Sequence, residues 1–327
     1  MATLEITTLI GCPLACTFCP QDALTAAYGK GSSRMLSVED FQAALSKLPS
    51  HVRIDFSGMS EPFKNPDCIK FVELSLDKGN PTAIYTTLSG LTPSDTDKLA
   101  DYVKASRFCK FVIHLPDSSG NMRGFRYDEN YLYALETLLP LSEVSCMTMS
   151  PEALIDEHLL EVVKSSTKRD QLIDKLPKGS FKGWRRAGSL NDRHVKDQPL
   201  EEKVEWKCGI TCASTPFYDH NVMLPDGRVV LCCMDYGIKH VIGNLLEDSY
   251  EHLFDSAEMV KIRNINMSQD AEVKKECICT QCSNVCRWEA KDGGWIQQLP
   301  PVAKPVTLRS MARELKNRTL SKLPIPR

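Results

Sequence analysis

The sequence predicts an α/β protein: strand–helix units forming a parallel sheet, then a smaller C-terminal domain made of a β-hairpin and a helix. Three observations carry this. Short β-type runs alternate with helical patterns through the first 150 residues, at the spacing of βα units. Further on, Pro225-Asp226-Gly227 stands between Val222–Leu224 and Arg228–Leu231, a strong hairpin signal. The cysteines also gather at the two ends of the chain: three at 12, 16 and 19, and eight between 208 and 286.

The elements follow in order. Leu4–Leu9 reads as a strand running into the first cysteine group, and Ser37 as the N-cap of a helix through about Leu48. Val52–Phe56 is strand-like, Asp67–Asp77 helical, Thr82–Thr86 extended and Pro93–Tyr102 helical. Phe108–His114 is the next strand, Glu129–Leu139 a helix, Glu143–Met149 extended and Pro151–Lys164 helical. From Lys164 to Lys196 there are ten Lys/Arg against three Asp, with Gly179, Gly183 and Gly188 interrupting any long helix. Two readings fit that strip, a solvated connector or a surface for an anionic ligand touched at Arg186-Ala187-Gly188. Ser249–Arg263 reads as an amphipathic helix. Leu299–Arg327 holds seven Lys/Arg and five Pro, either a loose tail or a helix from Leu308 to Leu320. The domains expected are 1–165 as core, 166–204 as connector completing it, 205–290 as the second module and 291–327 as tail.

A chain of 327 residues with net charge −2 and 42% hydrophobic residues is ordinary globular material. No run approaches the roughly 20 apolar residues of a membrane span. MATLEITTLIGC has neither the basic region nor the apolar run of a secretion signal, so a cytoplasmic location is expected. Fourteen cysteines are then anomalous, because clustered thiols in a reducing compartment point to metal rather than disulfides. The lone Cys68, Cys109 and Cys146 read as small buried hydrophobes.

Cys12-Pro13-Leu14-Ala15-Cys16-Thr17-Phe18-Cys19 follows the first strand directly. Three thiolates at this spacing can bind three irons of a [4Fe–4S] cluster. A structural zinc site brings four ligands, and no fourth Cys or His lies near the loop. In this the chain resembles the radical S-adenosylmethionine (SAM) superfamily, and Phe18 before the last cysteine fits its pattern. Ser57-Gly58-Met59-Ser60-Glu61-Pro62 resembles the family's Gly-Gly-Glu segment, with Ser60 where the second glycine is usual.

The resemblance implies a partial (β/α)6 radical SAM barrel whose fourth iron chelates SAM. It further implies that reductive cleavage of SAM gives a 5′-deoxyadenosyl radical, with flavodoxin or ferredoxin as electron donor. The SAM contacts it implies are Phe18, Gly58, Met59, Ser60, Glu61, Thr86 and Thr87 with Ser89 nearby, and Arg186. Thr86, Thr87 and Ser89 read equally well as ordinary strand-end polar residues.

The second module resembles the SPASM/Twitch class of auxiliary-cluster domains, from Cys212 through Cys232-Cys233 and Val241-Ile242-Gly243-Asn244 to Cys279-Thr280-Gln281-Cys282. The ligand set this implies is Cys212, Cys232, Cys279 and Cys282, with a four-cysteine zinc site as the alternative. Cys208, Cys233, Cys277 and Cys286 remain as ligands of a second auxiliary cluster, exchangeable ligands or plain thiols. Cys208 or Cys233 would also serve as a hydrogen-atom donor.

His114 and Asp117 end the fourth strand, where parallel βα barrels carry catalytic groups. They are candidates for substrate binding or proton transfer, with Asn121, Arg123 and Arg126 extending the pocket; a packed His and a capping Asp are the plain reading. Peptide-modifying relatives commonly carry an extra N-terminal domain, whereas here the cluster loop begins at residue 12. The expectation is therefore oxidation or epimerisation of a small sugar- or aminocyclitol-like substrate. The alternatives are a peptide maturase and a non-catalytic iron–sulfur or zinc scaffold or electron carrier. A nucleic-acid partner is not expected, since no RNA-binding motif accompanies the basic strip.

Overall fold

A computed structural model describes residues 1–148, 154–177, 209–212, 214–268, 270–282, 284–287, 290–291 and 294–295. Residues 178–208, with the basic strip from 178 to 196, Arg186 and Cys208 among them, and the tail lie outside them, as does the side chain of Cys286.

The core alternates as the sequence predicts: β1 (Thr3–Ile6), α1 (Gln21–Tyr28), α2 (Val38–Lys47), β2 (Arg53–Phe56), α3 (Cys68–Lys78), β3 (Thr82–Thr86), α4 (Pro93–Lys104), β4 (Lys110–Leu115), α5 (Glu129–Leu138), β5 (Val144–Thr148), α6 (Glu157–Ser165) and α7 (Arg169–Lys175). Local chemistry sets the ends. Ser37 caps α2 by accepting the Asp40 N–H, and Thr92 and Asp95 form a reciprocal capping box on α4. Asp156 caps α6, so that helix starts later than the pattern suggests. Helices α1 and α7 escape sequence reading because they are short, the second inside a strip read as connector.

The C-terminal module contributes β6 (Ile210–Cys212), β7 (His220–Met223), β8 (Arg228–Val230), β9 (Val241–Asn244), α8 (His252–Asp255), α9 (Ala257–Met267), α10 (Ala271–Lys274), a 3₁₀ turn at Ile278–Gln281 and β10 (Val285–Arg287), then the short pair β11 (Ala290–Lys291) and β12 (Gly294–Trp295). The single helix expected over Ser249–Arg263 is two, broken where Ser256 leaves helical geometry to cap α9.

The strand order is β5-β4-β3-β2-β1-β7-β8-β9. β1 to β5 are parallel, and β7 joins β1 as a sixth parallel strand in the register Thr3↔His220 to Ile6↔Met223. β8 and β9 then continue antiparallel. The hairpin of the C-terminal module therefore extends the core sheet rather than forming a separate layer. β6 pairs with β10, closing that module on itself.

Successive strand residues face opposite sides. On one side Leu4, Ile6, Ile54, Phe56, Ile84 and Phe111 bury against the helices, where Phe41 and Phe71 stack at 4.9 Å. The other side carries Glu5, Arg53, Asp55, Tyr85, Lys110, His114 and His220. A parallel sheet usually covers both faces with apolar side chains, so this polar face marks a site. Among the described residues no helix is long and apolar enough to cross a membrane.

The strand-end loops are tied together by Asn65, which is 1% exposed. Its Nδ2 donates to the carbonyls of Thr8 (3.0 Å) and Leu36 (2.9 Å), and its Oδ1 accepts from Asp67 N (2.9 Å). Asn65→Ala leaves these groups buried and unpaired, a loss of about 2–4 kcal/mol. Urea unfolding of native and variant protein measures it, and a change below about 0.5 kcal/mol would show the loops do not depend on this side chain.

Candidate active site and cluster centres

The first cysteine loop leaves β1 at the carboxyl edge of the sheet. Gln21, at the start of α1, organises it: Oε1 accepts Cys12 N (3.2 Å), while Nε2 donates to Cys19 Sγ (3.1 Å) and to the Met59 carbonyl (2.6 Å). The loop after β4 lies against it, with Thr17 N donating to Asn121 O (2.9 Å) and Gly124 N to Leu14 O (2.8 Å). A Cβ on Gly124 would stand 2.0 Å from the Pro13 carbonyl, so glycine is required there.

Cys12, Cys16 and Cys19 are free thiols, half-buried and close enough to feel one another. Burial, then the charges of Cys19 and Cys12, pushes the Cys16 thiol far up; burial also raises Cys12. Hydrogen-bond partners already lie at the sulfurs, and between Tyr236 and Cys19 either group can donate. Glu61 N lies 3.5 Å from Cys12 Sγ, and Tyr236 Oη lies 3.2 Å from Cys19 Sγ. Half-exposed thiols ringed by hydrogen-bond donors fit the ligation of a cluster. Phe18 is half-buried between Thr17 and Cys19.

The Ser57–Glu61 segment presses on β1. Gly58 has φ +43°, and a Cβ there would lie 2.5 Å from the Ile6 carbonyl. Met59 N donates to Thr7 Oγ1 (3.0 Å). The Glu61 carboxylate is 5% exposed and engaged from within the protein, accepting from Thr86 Oγ1 (2.5 Å), Thr87 N (2.6 Å) and Thr87 Oγ1 (2.8 Å). Thr86 and Thr87 thus hold Glu61, and Ser89 N leans on Thr87 Oγ1 at 3.4 Å. Burial raises the Glu61 pKa, with the threonine bonds opposing. In contrast, the Ser60 hydroxyl is buried with no partner.

On the polar face, His220 Nε2 lies 2.8 Å from Glu5 Oε1, and Ser57 Oγ donates to Glu5 Oε2 (2.9 Å). Arg53 grips Asp55 through Nε and Nη2 at 2.6 and 2.7 Å. His114 stacks obliquely on Tyr85, their rings 6.3 Å apart. Asp117 is 1% exposed: its Oδ1 accepts from Ser119 N and Asn121 Nδ2, both at 2.9 Å. Asn121 Oδ1 in turn accepts from Thr17 Oγ1 (2.5 Å), so Asp117 steadies the cysteine loop while its Oδ2 stays buried and unpaired. Arg123 and Arg126 are exposed on the same loop. The three lone cysteines differ: Cys68 is fully buried and Cys146 half-buried, but Cys109, expected buried, is exposed because it precedes β4 at the sheet's amino edge.

The C-terminal cysteines ring a cavity of about 200 Å³, lined by Cys212, Cys232, Cys233, Cys279 and Cys282 together with His220. This is a set of thiols spaced around a volume, as a cluster requires, and among the described residues no three metal-binding side chains converge as a single-ion site would need. Cys277 is 1% exposed and outside the lining; a hydrogen bond with Cys279 and another with His240 hold its thiol below the ordinary value despite burial.

Residues 212–283 match the SPASM iron–sulfur cluster-binding domain. The architecture matches BtrN, solved in complex with AdoMet and 2-DOIA, with a TM-score of 0.55 at 15% identity over 87% of this chain and 93% of that one. Native anSMEcpe with bound AdoMet gives 0.50 at 15% identity, over 87% and 88%. The chain has the radical SAM fold with a C-terminal SPASM domain. A probable dual-specificity RNA methyltransferase RlmN of Spiroplasma citri is 26% identical over 183 residues, 53% of this chain and 51% of that protein. The chain thus spans about half the length of that curated relative.

Sequence reading missed Glu5, Asp55, His220, Gln21 and Tyr236. The available signal was an acidic residue at the inward position of two otherwise apolar strands, Leu4-Glu5-Ile6 and Ile54-Asp55-Phe56.

The Glu5–His220 pair gives a pH test. Burial disfavours the Glu5 carboxylate, but His220, Ser57 and Cys233 outweigh it and hold its pKa below the ordinary 4.5. His220 is likewise opposed by burial yet raised above 6.5 by Glu5. The Glu5 contribution is therefore present above pH 4.5 and lost as pH falls through its folded pKa. The His220 contribution is full below pH 6.5 and lost as pH rises through its folded pKa. Native protein should exceed Glu5→Gln in stability most between these values, by about 1–3 kcal/mol, with the gap closing on both sides. Thermal unfolding across pH reads this, and a gap independent of pH would exclude the ion pair.

Proposed function

We propose that this chain is a radical SAM enzyme acting on a small polyhydroxylated, sugar- or aminocyclitol-like substrate, by oxidation or epimerisation. One observation carries the reading. The polar sheet face has the three-thiol loop at its rim and the SPASM cysteine cavity at its side, with His220 belonging to both face and cavity.

Bound at Cys12, Cys16 and Cys19, a [4Fe–4S] cluster supplies the electron that splits SAM into methionine and a 5′-deoxyadenosyl radical. The protein's share is positioning. The Gly58–Ser60 backbone and the unpaired Ser60 hydroxyl offer polar groups beside Cys12 for the SAM amino group, while Glu61 and its threonines hold that segment rigid. Glu5, Arg53, Asp55, Tyr85 and His114 supply donors and acceptors in alternation, suited to a molecule dense in hydroxyl or amino groups. Cys212, Cys232, Cys279 and Cys282, which line the cavity, would be the ligands of an auxiliary cluster, and such a cluster would supply an electron acceptor for an oxidation. The likeness to BtrN, crystallised with AdoMet and 2-DOIA, supports both cofactor and substrate class. A flavodoxin or ferredoxin is the proposed reductant.

Anaerobically reconstituted protein given SAM and a strong reductant should release 5′-deoxyadenosine, and the Cys12→Ala/Cys16→Ala/Cys19→Ala variant should release none above background. Sugars or aminocyclitols deuterated at the reacting carbon should stimulate release and pass deuterium into 5′-deoxyadenosine. Stimulation by peptides or RNA instead would overturn the substrate class. Absence of release from cluster-loaded protein would overturn the enzyme.

A further inference from the structure

One turn of the SPASM domain touches both cysteine sites. At its start, Cys232 and Cys233 line the cavity. At its end, His240 Nε2 receives Ile278 N at 3.2 Å, one residue before Cys279. Between them Tyr236, 2% exposed, packs with Leu24, Met59 and Val222 and places its Oη 3.2 Å from Cys19 Sγ, across 217 residues of sequence.

The turn has little freedom. The Asp235 carboxylate accepts Lys239 N (2.9 Å) and His240 N (2.8 Å), while Asp235 N donates to Cys232 O (3.0 Å). Ile238 sits at φ +49°, a position costly for a β-branched residue and kept only where the surroundings enforce it. Tyr236 is thus held at Cys19 by the same rigid segment that carries Cys232.

We propose that Tyr236 is a positioning residue that donates its phenolic hydrogen to the Cys19 sulfur, and so raises the reduction potential of a cluster on the radical loop from within the SPASM domain. The inference rests on the cluster ligation proposed above. An iron-bound thiolate carries no proton, so the phenol is the donor. A donor to a ligating sulfur stabilises the more negative, reduced cluster, and burial of the bond strengthens the effect. Gln21 makes a similar bond from the loop's own helix. Tyr236 makes one that exists only when the SPASM domain is docked.

The test is an EPR-monitored redox titration of the reconstituted full chain, native against Tyr236→Phe, with iron and sulfide assayed on each. The radical-loop signal is recognised by its change on adding SAM. In Tyr236→Phe its midpoint should move to more negative potential, so that the reduced fraction at the native midpoint falls several-fold. One exchangeable proton coupling seen in native protein by comparing H2O with D2O should vanish. Replacing Tyr236 by 3-fluorotyrosine, a stronger donor of nearly the same shape, should move the midpoint the other way. That variant also decides the matter if Tyr236→Phe does not fold. An unchanged midpoint and proton coupling at full cluster content would overturn the proposal alone. Persistence of the SAM-sensitive signal in the Cys12→Ala/Cys16→Ala/Cys19→Ala variant would overturn the proposed function and this inference with it.

Discussion

Strand β1 is hydrogen-bonded along both edges, to β2 from Thr3 to Glu5 and to β7 from Thr3 to Ile6, and the placement of everything chemical follows from that. A strand paired on both sides cannot shift register without turning its buried face outward. The cysteine loop that leaves β1 is therefore fixed between what leaves β2, the Ser57–Glu61 segment, and what leaves β7, the hairpin leading to Cys232 and Tyr236. Cys19 and Tyr236, 217 residues apart, meet because their flanking strands are neighbours in one sheet. Gly58 shows how tight the junction is: its Cα passes so near the Ile6 carbonyl that no side chain fits.

The polar face is costly to build, and the cost shows how it is arranged. A buried carboxylate is strongly disfavoured unless it is paired. Glu5 and Asp55 sit side by side on adjacent strands, each with a basic partner one row below, His220 for Glu5 and Arg53 for Asp55. The two pairs end differently. Burial outweighs Arg53 and leaves the Asp55 carboxyl above its ordinary range, whereas Glu5, with three partners, falls below it. A face holding two carboxylates paired with Arg53 and His220 offers acceptors and donors at adjacent positions, which an apolar sheet cannot.

Local chemistry made the core legible from sequence. Alternating apolar runs, the Ser37 cap and the Pro225-Asp226-Gly227 turn each act over a few residues, and each appears in the structure where expected. What could not be read depends on partners far along the chain. The β1–β7 pairing has no local sign, since either strand would read the same beside another neighbour. Glu61 and the pair Thr86 and Thr87 read as separate SAM contacts, and only the fold shows them bonding to one another. Asp117 likewise reads as a strand-end candidate, while its Oδ1 in fact steadies Thr17 through Asn121. Ser256 illustrates a subtler failure, because a serine within an amphipathic pattern is ambiguous between helix interior and cap until tertiary packing decides.

The wall between the two cysteine sites completes the physical picture. Ile10, Leu24, Tyr28, Met59, Val222, Leu224, Val230 and Tyr236 form a second apolar cluster, on the sheet face that also carries Glu5 and His220, and both Cys19 and Cys233 pack against it. Its residues come from the cysteine loop, α1, the Ser57–Glu61 segment and the SPASM hairpin, so it forms only when core and SPASM domain are together. Apolar packing of this kind lowers the dielectric beside Cys19, and each hydrogen bond to its sulfur then counts for more than it would in open solvent. The carbon radical of the proposed reaction would need such packing, because anything mobile beside it is a competing hydrogen source. The apolar cluster and the polar face therefore divide the sheet's second side, adjoining at the Glu5↔Val222 register: the first joins core and SPASM domain beside Cys19, and the second presents paired polar groups next to it.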